Sequence, residues 1–236
     1  MAFHCGPRER QIVTDGLVLY IDAGKTNSYP GTGTNWTDLS GNNLNGTLVN
    51  GPTYDSANLG SIVFDGSNDY ATVANNSLLN PTTTITIGAY FNISSFGINS
   101  YAPIIFKQNN FNSFFEQYSL ILTSTLVGFV ITGVDRSQKI ASSNLDYRNQ
   151  TVYAVGTCDA NNDEMKLYIN GTLITTIAFT STFDVGNGSL SIGGTGNVGT
   201  SYPGYSNGKI YNVQIYNRIL SNTEVTQNYD ALRTRF

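Results

Sequence analysis

Histidine is almost missing from this sequence: His4 is the only one in 236 residues. A Ser-His-Asp or Cys-His arrangement, and any histidine-based metal centre, therefore has almost nothing to be built from. Charge is scarce too, with 12 basic and 16 acidic side chains and a formal net charge of -4. So weak and negative a field gives no hold on phosphates, which argues against nucleic acid and anionic membranes as partners. The two cysteines, Cys5 and Cys158, are too few and too far apart for a disulfide framework. No run approaches the roughly 18 apolar residues of a membrane span, and "MAFHCGPRER" lacks the apolar stretch of an export signal.

Strand and turn formers are abundant: 15 Tyr, 12 Phe and 24 Gly, with many Asn, Thr and Ser. Short β-branched and aromatic runs recur between turn signals, among them "LVLYI", "TITIGAYFNI", "LVGFVIT", "TVYAVGTC" and "KIYNVQIYN". This pattern predicts an all-β sandwich of many strands, and 236 residues suit one such domain. In "MKLYINGTLITTI" the pair Asn170-Gly171 predicts a tight hairpin, because a two-residue type I′ turn needs positive φ at both positions. One helix is expected, in "LSNTEVTQNYDAL". Ser221 and Glu224 have capping-box spacing, Leu220 and Val225 can form a hydrophobic staple, and Val225, Tyr229 and Leu232 share a face. The predicted division is an arm over 1–15, a sandwich over 16–232 and a tail over 233–236. Arg8 and Arg10 in the arm, with Arg233 and Arg235 in the tail, are candidates for anchoring the protein to an acidic neighbour; solvated tail charge is the alternative.

Catalysis is poorly supplied. A glycosidase needs two carboxylates at a set separation, and the nearest approach, Asp163-Glu164, places neighbours on opposite faces of a strand start. No enzyme is expected. Sugar binding is better supplied, since it needs an aromatic face and a few polar groups. Tyr29, Trp36, Tyr202 and Tyr205 are the glycan-binding candidates, with the stretch "QNNFNSFFEQY" beside them; burial at a sandwich edge or subunit contact is the alternative for each. The turn "FDGSNDY" holds Asp65 and Asp69 four residues apart. Asp and Asn side chains can bond nearby amides in a turn, so no metal is needed to justify them.

The strings "GLVLYIDAG", "TNWTDLSGNNLNGTLVNGPTYDS", "GSIVFDGSNDYATV", "MKLYINGTLI", "LSIGG" and "NGKIYNVQIYNRILSNTEVTQNY" together resemble the laminin-G-like, concanavalin A-type jelly rolls, over nearly all of Gly16 to Tyr229. The resemblance implies an antiparallel two-sheet jelly roll with one short C-terminal helix. The arm and the opening and closing motifs are similar to standalone virion proteins of tailed marine and cyanobacterial bacteriophages. That likeness implies a structural protein of the capsid, tail or fibre, made in the host cytoplasm and exposed on the virion. Its partners would be other virion proteins, in a homo-oligomer, and host surface polysaccharide. A lectin-type module for adhesion is the alternative function. Relatives often hold a structural calcium through an acidic residue in the strand matching "GKIYNVQIYN"; here Tyr211 and Asn212 stand at that place. No cofactor is expected, with Asp22, Asp65 and Asp69 as the calcium candidates.

Overall fold

A computed structural model describes residues 11–97, 99–109, 116–196 and 203–236. In chain order the strands are β1 (Leu17–Asp22), β2 (Asn35–Trp36), β3 (Gly46–Val49), β4 (Thr53–Asp55), β5 (Ser61–Asp65), β6 (Tyr70–Val73), β7 (Thr84–Phe96) and β8 (Tyr101–Gln108). They continue with β9 (Glu116–Thr123), β10 (Val127–Thr132), β11 (Gln138–Ser142), β12 (Val152–Asp159), β13 (Glu164–Ile169), β14 (Thr172–Ala178), β15 (Leu190–Ile192) and β16 (Ser206–Tyr216), followed by the helix α1 (Asn222–Leu232). Sheet one runs β14-β13-β12-β7-β16-β5-β4, with β1 also on β16; sheet two runs β11-β10-β9-β8-β15-β6-β3-β2. Every pairing is antiparallel. This is the expected jelly-roll sandwich.

Alternation along the strands sends one side-chain set inward. Ile87, Ala89 and Phe91 of β7, Val213 and Ile215 of β16, and Leu120 and Leu122 of β9 meet between the sheets with Phe64, Phe129 and Leu167. The packing is close enough that a methyl on Gly156 would lie 2.1 Å from the Phe129 ring. Cys158 is buried in this core as a free thiol, and burial pushes its pKa up. The hairpin between β13 and β14 turns on Asn170 (φ 50) and Gly171 (φ 78), as its sequence requires.

Sheet one has a second layer on its outer face. Tyr90, Tyr153, Tyr168, Tyr211 and Tyr216 form a buried cluster there with Val13, Leu220, Val225 and Leu232. α1 covers it. The Ser221 hydroxyl and the Glu224 carboxylate make the expected reciprocal capping box, and Leu220 and Val225 are both buried beside it. Asn228, which the helical pattern did not single out, is fully buried; it accepts from the Val13 amide (2.8 Å) and donates to the Tyr216 hydroxyl (2.9 Å). The segment before β1 is thus tied to the helix.

Candidate functional site at the loop end of the sandwich

"FDGSNDY" links strands in opposite sheets, β5 in the first and β6 in the second. The Asp65 carboxylate accepts from the Ser67 amide (2.8 Å) and the Asn68 amide (3.4 Å), and Gly66 takes a φ of 78°. The Asp69 carboxylate accepts from the Asp65 amide (3.2 Å). The stretch is a turn held by its own side chains. The Ser67 amide, first among its partners, holds the Asp65 carboxyl below the usual range, while burial and then the Asp65 charge push Asp69 up.

Two further segments close on this turn. The Gly97 amide donates to the Tyr205 carbonyl (2.9 Å), Asn99 Nδ2 to the Pro203 carbonyl (2.9 Å), and Asn50 Nδ2 to the Asn68 carbonyl (2.8 Å). The Ser206 hydroxyl donates to the Pro103 carbonyl (2.8 Å), fixing the start of β16 against sheet two. Glycine is required where backbone passes over a ring: a methyl on Gly194 would lie 2.8 Å from Tyr205, and one on Gly204 would lie 2.5 Å from Tyr101. Tyr205 and Tyr101 are half-buried and Tyr70 is buried. Partial burial and then the neighbouring Tyr70 raise the Tyr205 hydroxyl pKa, so it stays a neutral donor and acceptor. Around these rings stand exposed Asn50, Asp65, Ser67 and Asn68, with half-buried Asn99 and Asn207. An aromatic edge beside several amides and hydroxyls is the chemistry of a sugar subsite.

The structure separates the four sequence-derived glycan candidates. Trp36 is fully buried in the core, and Tyr29 is 4% exposed, donating its hydroxyl to the Gly33 carbonyl (2.7 Å) with its ring against Tyr54. Neither presents a face to a ligand, because the sandwich uses them as core. Tyr202 lies outside the described residues. Tyr205 stands at the loop end, with Tyr70 and Tyr101, which the sequence reading did not single out. Their only sequence signal was position, Tyr70 opening β6 after the aspartate turn and Tyr101 opening β8.

The calcium candidates do not converge. Asp22 pairs with Asn212 and Asp65 with Asn207 on the same strand, so their backbones sit roughly 16 Å apart at about 3.3 Å per residue. Asp22 is instead taken by Arg235, whose Nη1 lies 2.7 Å from Oδ1, and by the Tyr20 hydroxyl at 2.7 Å. Among the described residues no group of three His, Cys, Asp or Glu side chains could hold a metal. Arg235 therefore anchors its own chain rather than a neighbour, and Arg233 is paired with Asp230 (2.7 Å). Arg8 and Arg10 lie outside the described residues. Asp163 sits in the turn before β13 at a φ of 53°, and Glu164 is ion-paired to Lys166.

One buried charge was not expected. Lys107 of β8 is fully buried, donating to Asn75 Oδ1 (2.9 Å) and to the Gly188 carbonyl, and burial pushes its pKa down to about 8. "APIIFKQ" reads as a strand and gives no sign that its lysine points inward.

A family model for the concanavalin A-like lectin/glucanases superfamily matches residues 65–226. The chain belongs to this superfamily. Solved structures of the same shape include the receptor-binding domain of a botulinum neurotoxin C/D mosaic serotype, with a TM-score of 0.70, 19% identity and coverage of 92% of this chain and 52% of that one. The binding domain of Paraclostridial Mosquitocidal Protein 1 follows with 0.69, 16%, 92% and 52%. The botulinum neurotoxin serotype D ligand-binding domain, solved with N-acetylneuraminic acid, gives 0.69, 17%, 92% and 51%. The chain spans about half the length of each, and at these identities the likeness establishes the fold. No curated protein matches.

These findings correct the virion reading. The strand motifs behind it are those of the lectin-type jelly roll as a whole, and the solved structures named above are receptor-binding, ligand-binding or binding domains, none of them a virion component. A capsid, tail or fibre role, virion proteins as partners in a homo-oligomer, and a virion-surface location are therefore withdrawn. The superfamily groups lectins with glucanases on this jelly roll. Among the described residues no helix is long and apolar enough to cross a membrane.

Proposed function

We propose that this chain is a carbohydrate-binding module that holds a glycan at the loop end of the sandwich, with Tyr205 as the stacking platform. The observation carrying this reading is the half-exposed Tyr205 ring, braced by Gly194 and neighboured by Tyr70 and Tyr101, among Asn50, Asn68 and Asn99. Superfamily membership supports a sugar as ligand class, as does the serotype D domain solved with N-acetylneuraminic acid. The ligand here is a neutral glycan, because Asp65, whose carboxyl the turn amides hold below the usual range, is exposed on the turn at this end and disfavours an acidic sugar.

A glycan array followed by calorimetry on the full chain tests the reading. Neutral oligosaccharides bind, and Tyr205→Ala weakens them roughly tenfold, about 1.4 kcal/mol, with an unchanged near-ultraviolet dichroism spectrum. A flat response of the wild-type protein across neutral glycans, or unaltered binding by Tyr205→Ala, overturns it.

A further inference from the structure

The end of β5 away from the Asp65 turn contains a built receptor for a guanidinium group. Arg235 enters it with a side chain only 8% exposed, against an Asp22 side chain 2% exposed. Its Nη2 donates to the Gly60 carbonyl (2.8 Å) and its Nε to the Asn58 carbonyl (3.2 Å). Those carbonyls are aimed by three consecutive residues with positive φ: Asn58 (54°), Leu59 (66°) and Gly60 (127°). Leu59 is an expensive residue in that region, with its Cβ crowded and its side chain 65% exposed, so the conformation is held by what it faces. Space is cleared on the opposite side as well, since a methyl on Gly24 would fall 2.2 Å from Arg235 Nη2. Beside it, Phe236 stacks on Tyr90 at 4.8 Å and meets Tyr211 edge-on at 4.6 Å.

Arg235 fills its seat, while Phe236 covers only part of the face beside it. The turn Arg233–Arg235 has no fully buried residue, and Phe236 is 43% exposed. Between the two anchors lies Asn212, in register with Asp22 on one side and Tyr90 on the other. It is fully buried, and neither its Oδ1 nor its Nδ2 has a protein partner; the Tyr90 hydroxyl and Gln214 Nε2 beside it are in the same condition. Each such atom is destabilising unless paired. Extended peptide backbone, with alternating donors and acceptors, is a ligand that would pair them.

We propose that Asp22, the Asn58–Gly60 turn and the Tyr90 and Tyr211 rings form a binding site for a peptide segment carrying arginine next to an aromatic residue, a site that Arg235 and Phe236 of the chain itself occupy as a displaceable latch. A partner segment enters by replacing those two side chains and adds backbone hydrogen bonds to Asn212. This surface is distinct from the sugar site, and neither depends on the other.

The test uses the full chain and a fluorescent Arg-Thr-Arg-Phe peptide. Removing the latch with Arg235→Ala/Phe236→Ala raises peptide affinity at least tenfold over wild type, because the internal competitor is gone. A Lys-Thr-Lys-Phe peptide, lacking the planar fork, does not bind. Equal binding to both proteins, or no binding to the folded double variant, overturns the proposal. Should the double variant fail to fold, Arg235→Ala alone is followed by hydrogen exchange at the Gly60 amide. Added peptide raises its protection under the proposal, and unchanged protection overturns it.

Discussion

Two groups of tyrosines in this molecule have opposite fates. On the outer face of sheet one, Tyr90, Tyr153, Tyr168, Tyr211 and Tyr216 lie buried under α1 and the Arg235–Phe236 segment. At the loop end, Tyr205 and Tyr101 remain half-buried with open polar neighbours. Tyrosine is plentiful in both places. The difference is a cover, and the cover exists because Val225, Asn228 and Leu232 repeat at helical spacing and have somewhere apolar to dock. An aromatic residue thus becomes structure or binding surface according to what the chain lays over it.

The sharpest way to break this comparison is to show that a covered aromatic binds ligand or that an open one holds the fold. Trp36→Ala is expected to destabilise the protein by about 3–5 kcal/mol, measured by urea denaturation, because it empties a fully buried site. A folded, stable Trp36→Ala that has lost only sugar binding would place the platform back on Trp36. Lys107 gives the next effect. Its folded pKa is lowered to about 8 from an ordinary 10.5, so folding disfavours the charged form. The unfolded chain binds more protons between those values, and stability therefore rises from pH 8 towards 10.5. Lys107→Met, which fills the space without the charge, should remove that component; an identical pH slope in both proteins between 8 and 9.5 would show the lysine to be solvated.

A smaller effect sharpens the account of the cover. Arg218 pulls the Glu224 carboxyl down to about 2, and the capping box at Ser221 adds to it. That contribution is present above the unfolded pKa near 4.5 and is lost as pH falls through 2. Glu224→Gln should destabilise by about 1 kcal/mol at pH 7 and loosen the helix before the sandwich, seen as faster hydrogen exchange in α1. Slowest to register is Tyr205→Ala, which should move stability by about 0.5 kcal/mol while reducing sugar binding as set out above.

Much of the architecture was legible from residue order. The Asn170-Gly171 hairpin, the capping box at Ser221 and the self-bonded turn at Asp65 each depend on contacts within a few residues, and such contacts are written in local sequence. The alternation of "TITIGAYF" and "VQIY" likewise identified sandwich strands with a buried face. Trp36 and Tyr29 were weighed as ligand contacts because both sit in polar, turn-rich stretches; their burial comes from strands tens of residues away. Arg235 looked like tail charge, and its partner Asp22 is 213 residues distant.

By itself, then, the sequence determined an antiparallel jelly roll with one capped helix, because period and turn chemistry are properties of order and composition. Tertiary structure alone decided which aromatics are core and which are surface, that Asp22 pairs with Arg235, and that Tyr70, Tyr101 and Tyr205 share one end. Those outcomes depend on which faces pack together over long separations, where burial and electrostatic pairing are properties of the assembled sheets and of no single segment.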